Sequence, residues 1–243
     1  GGSSWREVEV VYKSHDVPPG IGMRDLENGL LPEMGYDTWM TDIDLHVQPD
    51  WNEEGWFHSP GMPLRSASDV IRRLVDVVSK NGVMLLNAPP AADGAFAEDV
   101  AGTLRSIGRW LNTFGEAIYD ASPWYLYGEG PTLIDDWNKT HLHNDHFNQT
   151  AFTAEDIRFT TRDDRLFATT LGRPSERLVV RALGTGYRFR EGRVRAVRWL
   201  GQAQPLNWSH APDGLAIELP ETLALSDEAN VFEITLASCS AHL

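Results

Sequence analysis

Residues 66–87 read SASDVIRRLVDVVSKNGVMLLN, and this stretch decides the fold class. Ser66 and Asp69 fit a capping box, in which the cap hydroxyl accepts a backbone N–H from the first helical turn. Val70, Ile71, Leu74, Val75, Val77 and Val78 then recur at helical spacing, which predicts one amphipathic helix over Ser66–Lys80. Asn81-Gly82 ends it, glycine being the residue that enters the left-handed cap at least cost. Val83 to Asn87 (VMLLN) follows at once as a short apolar run, the pattern of a parallel strand buried on both faces, and Pro89 and Pro90 stop it.

Working outward, a second helix is predicted over about Ala97–Phe114, with Leu104, Ile107, Trp110, Leu111 and Phe114 on one face. Upstream, Trp5–Tyr12 (WREVEVVY) reads as a short strand, and the stretch His15–Gly22 holds the turn signal Pro18-Pro19-Gly20. Residues 23–65 show weak periodicity, and a stretch that long is either a functional loop or carries short elements of its own. Strand, loop, helix, strand, helix is the βα alternation of a parallel sheet or barrel. From Phe152 the period changes. Ile157–Thr161, Leu166–Leu171, Leu178–Leu183, Val194–Leu200, Leu215–Leu219 and Val231–Leu236 are short runs, two of them bounded by Asp163-Asp164 and Asp213-Gly214. That pattern predicts an antiparallel sandwich, and the polar, aperiodic Gly128–Gln149 separates it from the α/β part. Trp110, Trp199 and Trp208 fall in periodic elements and are expected in the core.

Thirty-five acidic residues against 21 basic ones give a formal charge of −14, which repels phosphate backbones and anionic lipid and argues against nucleic-acid or membrane partners. The single cysteine, Cys239, rules out a disulfide within the chain. No run reaches the ~18 apolar residues of a membrane-spanning helix. The compartment stays open: bacterial cytoplasm, periplasm and secretion all suit this composition.

Several collinear motifs resemble glycoside hydrolase family 29, the retaining α-L-fucosidases. Leu74–Asn87 (LVDVVSKNGVMLLN), with Pro89 and Asp93-Gly94 after it, is similar to the signature at the end of that family's barrel. Ile107-Gly108-Arg109-Trp110, Gly115-Glu116-Ala117-Ile118-Tyr119, Pro123-Trp124 and Tyr127-Gly128-Glu129-Gly130-Pro131 continue the likeness. Phe152–Thr161, Leu200-Gly201, Trp208 and Asp213-Gly214-Leu215 resemble strands of its C-terminal β-domain. The resemblance implies an α/β plus all-β chain: a partial (β/α)8 barrel, about strands 5–8, in residues 1–127, a linker at 128–151, and a C-terminal antiparallel β-sandwich in 152–243. It implies action on terminal α-linked L-fucose, in a fucosylated glycan or a small fucoside, with no cofactor. The family's nucleophile, an aspartate in a tryptophan-x-aspartate-glycine context, has no counterpart here. An N-terminally truncated form is therefore expected, closing its half-barrel as a homodimer or larger homo-oligomer. The rival expectation is a carbohydrate-binding or structural fragment without turnover.

Retaining glycosidases set two carboxyls ~5–5.5 Å apart, one of which must hold a proton near neutrality. The resemblance puts the acid/base on the loop Asp16–Asp44, with Glu27 as first candidate and Asp37, Asp44, Asp25 and Glu33 as alternatives; Asp25, Asp42 and Asp44 are candidates to replace the nucleophile. Trp39, Trp51, Trp56 and Phe57 crowd the same region and offer ring faces for a sugar, or else seal the barrel mouth. His141, His143, Asp145 and His146 have the look of a zinc set, but they lie in the polar linker without a cysteine, and no metal is expected.

Overall fold

Val11–Tyr12 (β1), Met23–Asp25 (β2), Trp39–Asp44 (β3) and Gly82–Asn87 (β4) lie side by side in that order, and every pairing is parallel. The computed structural model describes residues 10–13, 17–18, 20–47, 56–134, 150–185 and 194–237. β2 and β3 are short elements within residues 23–65, one of the two alternatives open for that stretch. The β3 sequence WMTDID lacks the continuous apolar character of a buried parallel strand, because its carboxyl end carries the polar groups described below.

The helix between β3 and β4 is Ala67–Ser79 (α1), capped by Ser66, whose hydroxyl accepts the Asp69 N–H at 3.1 Å. The left-handed residue at its end is Asn81 (φ 67°) rather than Gly82. Gly82 is required for another reason: a Cβ there would lie 2.6 Å from the Trp39 ring. α1 buries Val70, Ile71, Val75 and Val77, while Leu74 stays partly exposed. Buried Arg73, Asp76, Ser79 and Lys80 occupy its remaining inner positions, since α1 packs on β4 and also on the strands that follow.

Glu98–Phe114 (α2) buries Val100, Ile107, Trp110 and Phe114. The Trp110 indole N–H donates to the Ala229 carbonyl at 3.0 Å, and Arg72 of α1 donates to the Glu228 carbonyl at 2.9 Å. Both helices are thereby tied to the antiparallel half of the molecule.

That half holds Ser122–Glu129 (β5), Ile157–Arg162 (β6), Arg165–Thr170 (β7), Arg177–Val180 (β8), Val194–Trp199 (β9), Trp208–Ala211 (β10), Gly214–Glu218 (β11) and Asn230–Leu236 (β12). They form a five-stranded sheet, β5-β6-β7-β12-β9, and a three-stranded one, β10-β11-β8, antiparallel throughout. β5 is not evident in the sequence and runs into the start of the expected linker, and β10 is signalled there by Trp208 alone. The β6–β7 hairpin turns at Asp163 (φ 57°), and the β10–β11 hairpin closes Ala211 on Gly214. Ala168 pairs with Phe159 on one side and Phe232 on the other, all fully buried, so a small residue seats between two large ones.

Candidate active site at the carboxyl edge of the parallel sheet

In a parallel sheet every strand ends at the same edge, where side chains from different strands meet. Here Lys13 follows β1, Asp25 ends β2, Glu27 lies two residues beyond, Asp42 and Asp44 close β3, and Asn87 ends β4. The tail of β2 is pinned to β3: the Leu26 N–H donates to Met40 O and the Asn28 N–H to Asp42 O, each at 2.8 Å, and the Thr41 hydroxyl donates to Leu26 O at 2.9 Å. Asn28 accepts the left-handed backbone (φ 47°) that this path needs.

The Lys13 ammonium lies 2.8 Å from Glu27 Oε2, 2.8 Å from Asp42 Oδ2 and 3.4 Å from Asp25 Oδ2. Glu27 Oε2 and Asp42 Oδ2 are therefore no farther apart than twice 2.8 Å, an upper limit comparable with the ~5–5.5 Å carboxyl separation of retaining glycosidases. Their side chains are 19% and 14% exposed, whereas Asp25 is only 2% exposed. One ammonium faces three carboxyls, and one of these holds its proton unusually well. Burial first, and then the negative charge of Asp42, push the Asp25 carboxyl up to about 6 against the opposing pull of Lys13. A hydrogen bond between Asp25 and Asp42, which needs that proton, adds to the shift. Burial lowers the Lys13 pKa, but the hydrogen bonds and charges of Asp42 and Glu27 outweigh it and leave the ammonium above its usual range. Asp25 Oδ1 and Asp42 Oδ1 are buried and receive no hydrogen bond from a described residue.

Asp44 has a different setting. It is fully buried, and its Oδ1 accepts the His46 N–H at 3.2 Å and the Asn87 amide at 3.3 Å. Arg65 donates to its carbonyl at 2.8 Å, and Asn87 also donates to the Trp56 carbonyl at 3.1 Å. These bonds fasten the chain after β3 to β4 and leave the Asp44 carboxyl closed to a sugar.

The other sequence candidates divide. Asp37 and Trp39 precede or begin β3 and so sit at the opposite, amino edge of the sheet. Asp37 is exposed there, and Glu33 is exposed before it. Trp39, expected at the barrel mouth, is 3% exposed, donates to Lys80 O at 2.9 Å and lies against Gly82, so its ring has no free face. Trp56 is partly buried on the Asn87 side, and Phe57 is 68% exposed. Trp51 and the residues His141, His143, Asp145 and His146 lie outside the described residues. Among the described residues no group of three His, Cys, Asp or Glu is arranged to hold a metal. Lys13, the hub of the cluster, was missed: a single lysine after a two-residue strand carries no sequence signal.

The family model described as α-L-fucosidase matches residues 23–116, which covers β2 through α2. The tissue α-L-fucosidase of Rattus norvegicus is 27% identical over 239 residues, 90% of this chain and 45% of that protein. The plasma α-L-fucosidase of Homo sapiens is 30% identical over 154 residues, 63% of this chain and 28% of that protein. Among solved structures, α-L-fucosidase isoenzyme 1 from Paenibacillus thiaminolyticus superposes with a TM-score of 0.66 at 24% identity, over 88% of this chain and 45% of that one. The chain thus spans less than half the length of the relatives that it matches. The family match over β2 through α2, the similarity across most of this chain and the shared fold agree: the chain resembles the α-L-fucosidases of glycoside hydrolase family 29.

Proposed function

We propose that the carboxyl-edge cluster is the acid/base side of a retaining α-L-fucosidase or transfucosidase site for terminal α-linked L-fucose. The observation that carries it is Lys13 holding Glu27 and Asp42 within one glycosidase span of each other. Glu27, the most exposed of the three carboxyls, is assigned as the group that meets the substrate. Asp25 is too deeply buried to touch a sugar and positions Lys13. Asp42 faces Glu27 across the ammonium and is the carboxylate of this chain placed to oppose it; otherwise the nucleophile comes from outside these 243 residues. The four parallel strands support the reading of residues 1–127 as part of a (β/α)8 barrel, and β6–β12 the reading of 152–243 as a β-sandwich.

Hydrolysis of nitrophenyl α-L-fucoside by the purified chain tests the assignment. Turnover that Glu27→Gln lowers, and that azide then restores, supports it. Fucose binding without turnover in the wild-type chain favours instead a carbohydrate-binding role. The homo-oligomer is proposed on a separate ground: β4 is an edge strand with Val83 42% and Leu85 55% exposed, a surface suited to pairing. Light scattering at micromolar concentration decides it, and a monomer overturns it.

A further inference from the structure

A second concavity lies well away from the parallel sheet, in the antiparallel half. Its volume is about 560 Å³, within the range of small-ligand sites. One wall is β8 with its flanks: Arg173, Arg177, Val179 and Arg181. The other runs through Gly130-Pro131, at the end of β5, and Ala154-Glu155, ahead of β6. Among the described residues β8 is an edge strand, paired with β11 alone, which leaves one line of its backbone groups without a strand partner there.

The charges in the groove run against the rest of the molecule. The chain has a formal charge of −14, yet three guanidiniums line this one hollow against two carboxylates. Glu129 is already committed: its two oxygens accept the N–H groups of Arg181 and Ala182, each at 2.8 Å, and so fix where Arg181 stands. Arg173 is tethered through the Leu225 carbonyl at 3.0 Å. The guanidiniums of Arg177 and Arg181 make no hydrogen bond or ion pair with any described residue, and both side chains are exposed. Arg177 begins β8 and Arg181 opens the 3-10 turn Arg181–Leu183 directly after it, and both line the groove together with Val179.

We propose that this groove is a secondary binding site for a saccharide that carries one anionic group, a carboxylate or a sulfate ester. Planar guanidinium forks match the two-oxygen edge of either group. Open strand-edge N–H and C=O groups match sugar hydroxyls. The net negative charge of the chain repels a polyanion, which favours a singly charged sugar over nucleic acid or a highly sulfated polymer. The saccharide half of this assignment rests on the glycan-processing reading above, and the anion half does not.

Nuclear magnetic resonance titration of the full chain with a methyl uronide, a monosulfated monosaccharide and the neutral parent sugar tests it. Either anionic sugar should shift the amides of Gly130, Ala154 and Val179, and whichever binds more tightly identifies the group. The neutral sugar should bind at least about 10-fold more weakly. Arg177→Gln with Arg181→Gln should cost about 10-fold or more, Glu155→Gln should tighten binding, and added salt should weaken it. Equal affinity for neutral and anionic sugars, insensitivity to the arginine changes, or inorganic sulfate bound as tightly as the sulfated sugar overturns the proposal. Fucoside turnover should be the same in the arginine variants. A chain that never turns over a fucoside can still pass this test, so failure of one reading is distinguishable from failure of the other.

Discussion

Asp76 and Lys80, one turn apart on α1, form an ion pair at 2.8 Å with neither side chain exposed to solvent. Arg158 of β6 meets the other Asp76 oxygen at 2.6 Å, and the Lys80 ammonium also donates to the Leu31 carbonyl at 2.7 Å. One carboxylate thus joins the helix behind the parallel sheet to the antiparallel sheet. Burial opposes its charge, but Lys80 and Arg158 together hold the carboxyl below its usual range.

Asp76→Asn should be severe, because it strands two buried cations without a counter-charge. A loss of about 3–5 kcal/mol is expected, read as a fall in denaturation midpoint. The sign with pH follows from the lowered pKa. Stability from this group is complete above the ordinary aspartate value and disappears as pH falls through the still lower folded-state value. Acid unfolding of the wild type should steepen in that range, and Asp76→Asn should lack the step. A variant as stable as the wild type would show that the ion pair holds nothing together.

Gly82→Ala tests the packing at the other end of the sheet. The added methyl meets the Trp39 ring at 2.6 Å and a Val77 methyl at 2.7 Å, between rigid neighbours. A cost of about 1–3 kcal/mol is expected. Trp39→Phe together with Gly82→Ala should recover part of it, because a smaller ring frees the space. Chemical denaturation of the two single changes and the double change gives the coupling.

The contrast between α1 and β3 shows what the sequence can and cannot convey. The Ser66 cap, valine periodicity and Asn81-Gly82 stop are local signals, and α1 with β4 lies within a residue or two of its expected bounds. β3 is invisible to the same reasoning because Thr41, Asp42 and Asp44 interrupt its apolar pattern. Those polar residues are tolerable only because Leu26 O, Lys13 and Asn87 wait for them on neighbouring strands, partners set by tertiary pairing. The same holds for Trp39: composition suggests a sugar platform, and only the position of Gly82 shows that the ring is capped. β5, SPWYLYGE, is hidden by a proline and by a pairing with β6 that shifts register between Pro123 and Gly128.

Asp25 gives a second pH dependence, opposite in sign to that of Asp76. Its folded-state pKa of about 6 lies above the unfolded value, so the folded chain holds this proton the more tightly. Stability from the group is therefore greatest in acid, declines as pH rises between the unfolded value and about 6, and stays at its lower level beyond. Asp25→Asn keeps the shape without the ionisation and should remove this decline. Thermal melts of both proteins across pH 4–7 make the comparison, and parallel curves would exclude Asp25 as the titrating group.

The same ionisation should be felt in catalysis if Glu27 is the acid/base. A general acid must deliver a proton as the leaving group departs, which matters most when that group is a poor one. Glu27→Gln should then reduce turnover of a fucoside with a sugar-alcohol leaving group by ~10²–10⁴-fold. An activated nitrophenol departs without help, so bond breaking on that substrate should suffer less, and azide should restore turnover by replacing the water that Glu27 no longer activates. Asp25 acts one step back. When it ionises near pH 6 it adds a negative charge beside Lys13 and draws on the ammonium that Glu27 and Asp42 share. The ammonium that holds Glu27 and Asp42 is then shared with a third charge, so the wild-type rate should change as pH passes through about 6. Asp25→Asn should lose this change while keeping the leaving-group dependence that belongs to Glu27. Equal losses on both substrates in Glu27→Gln, with no azide rescue, would remove Glu27 from the chemistry and leave the partly buried Asp42 as the carboxylate to test next.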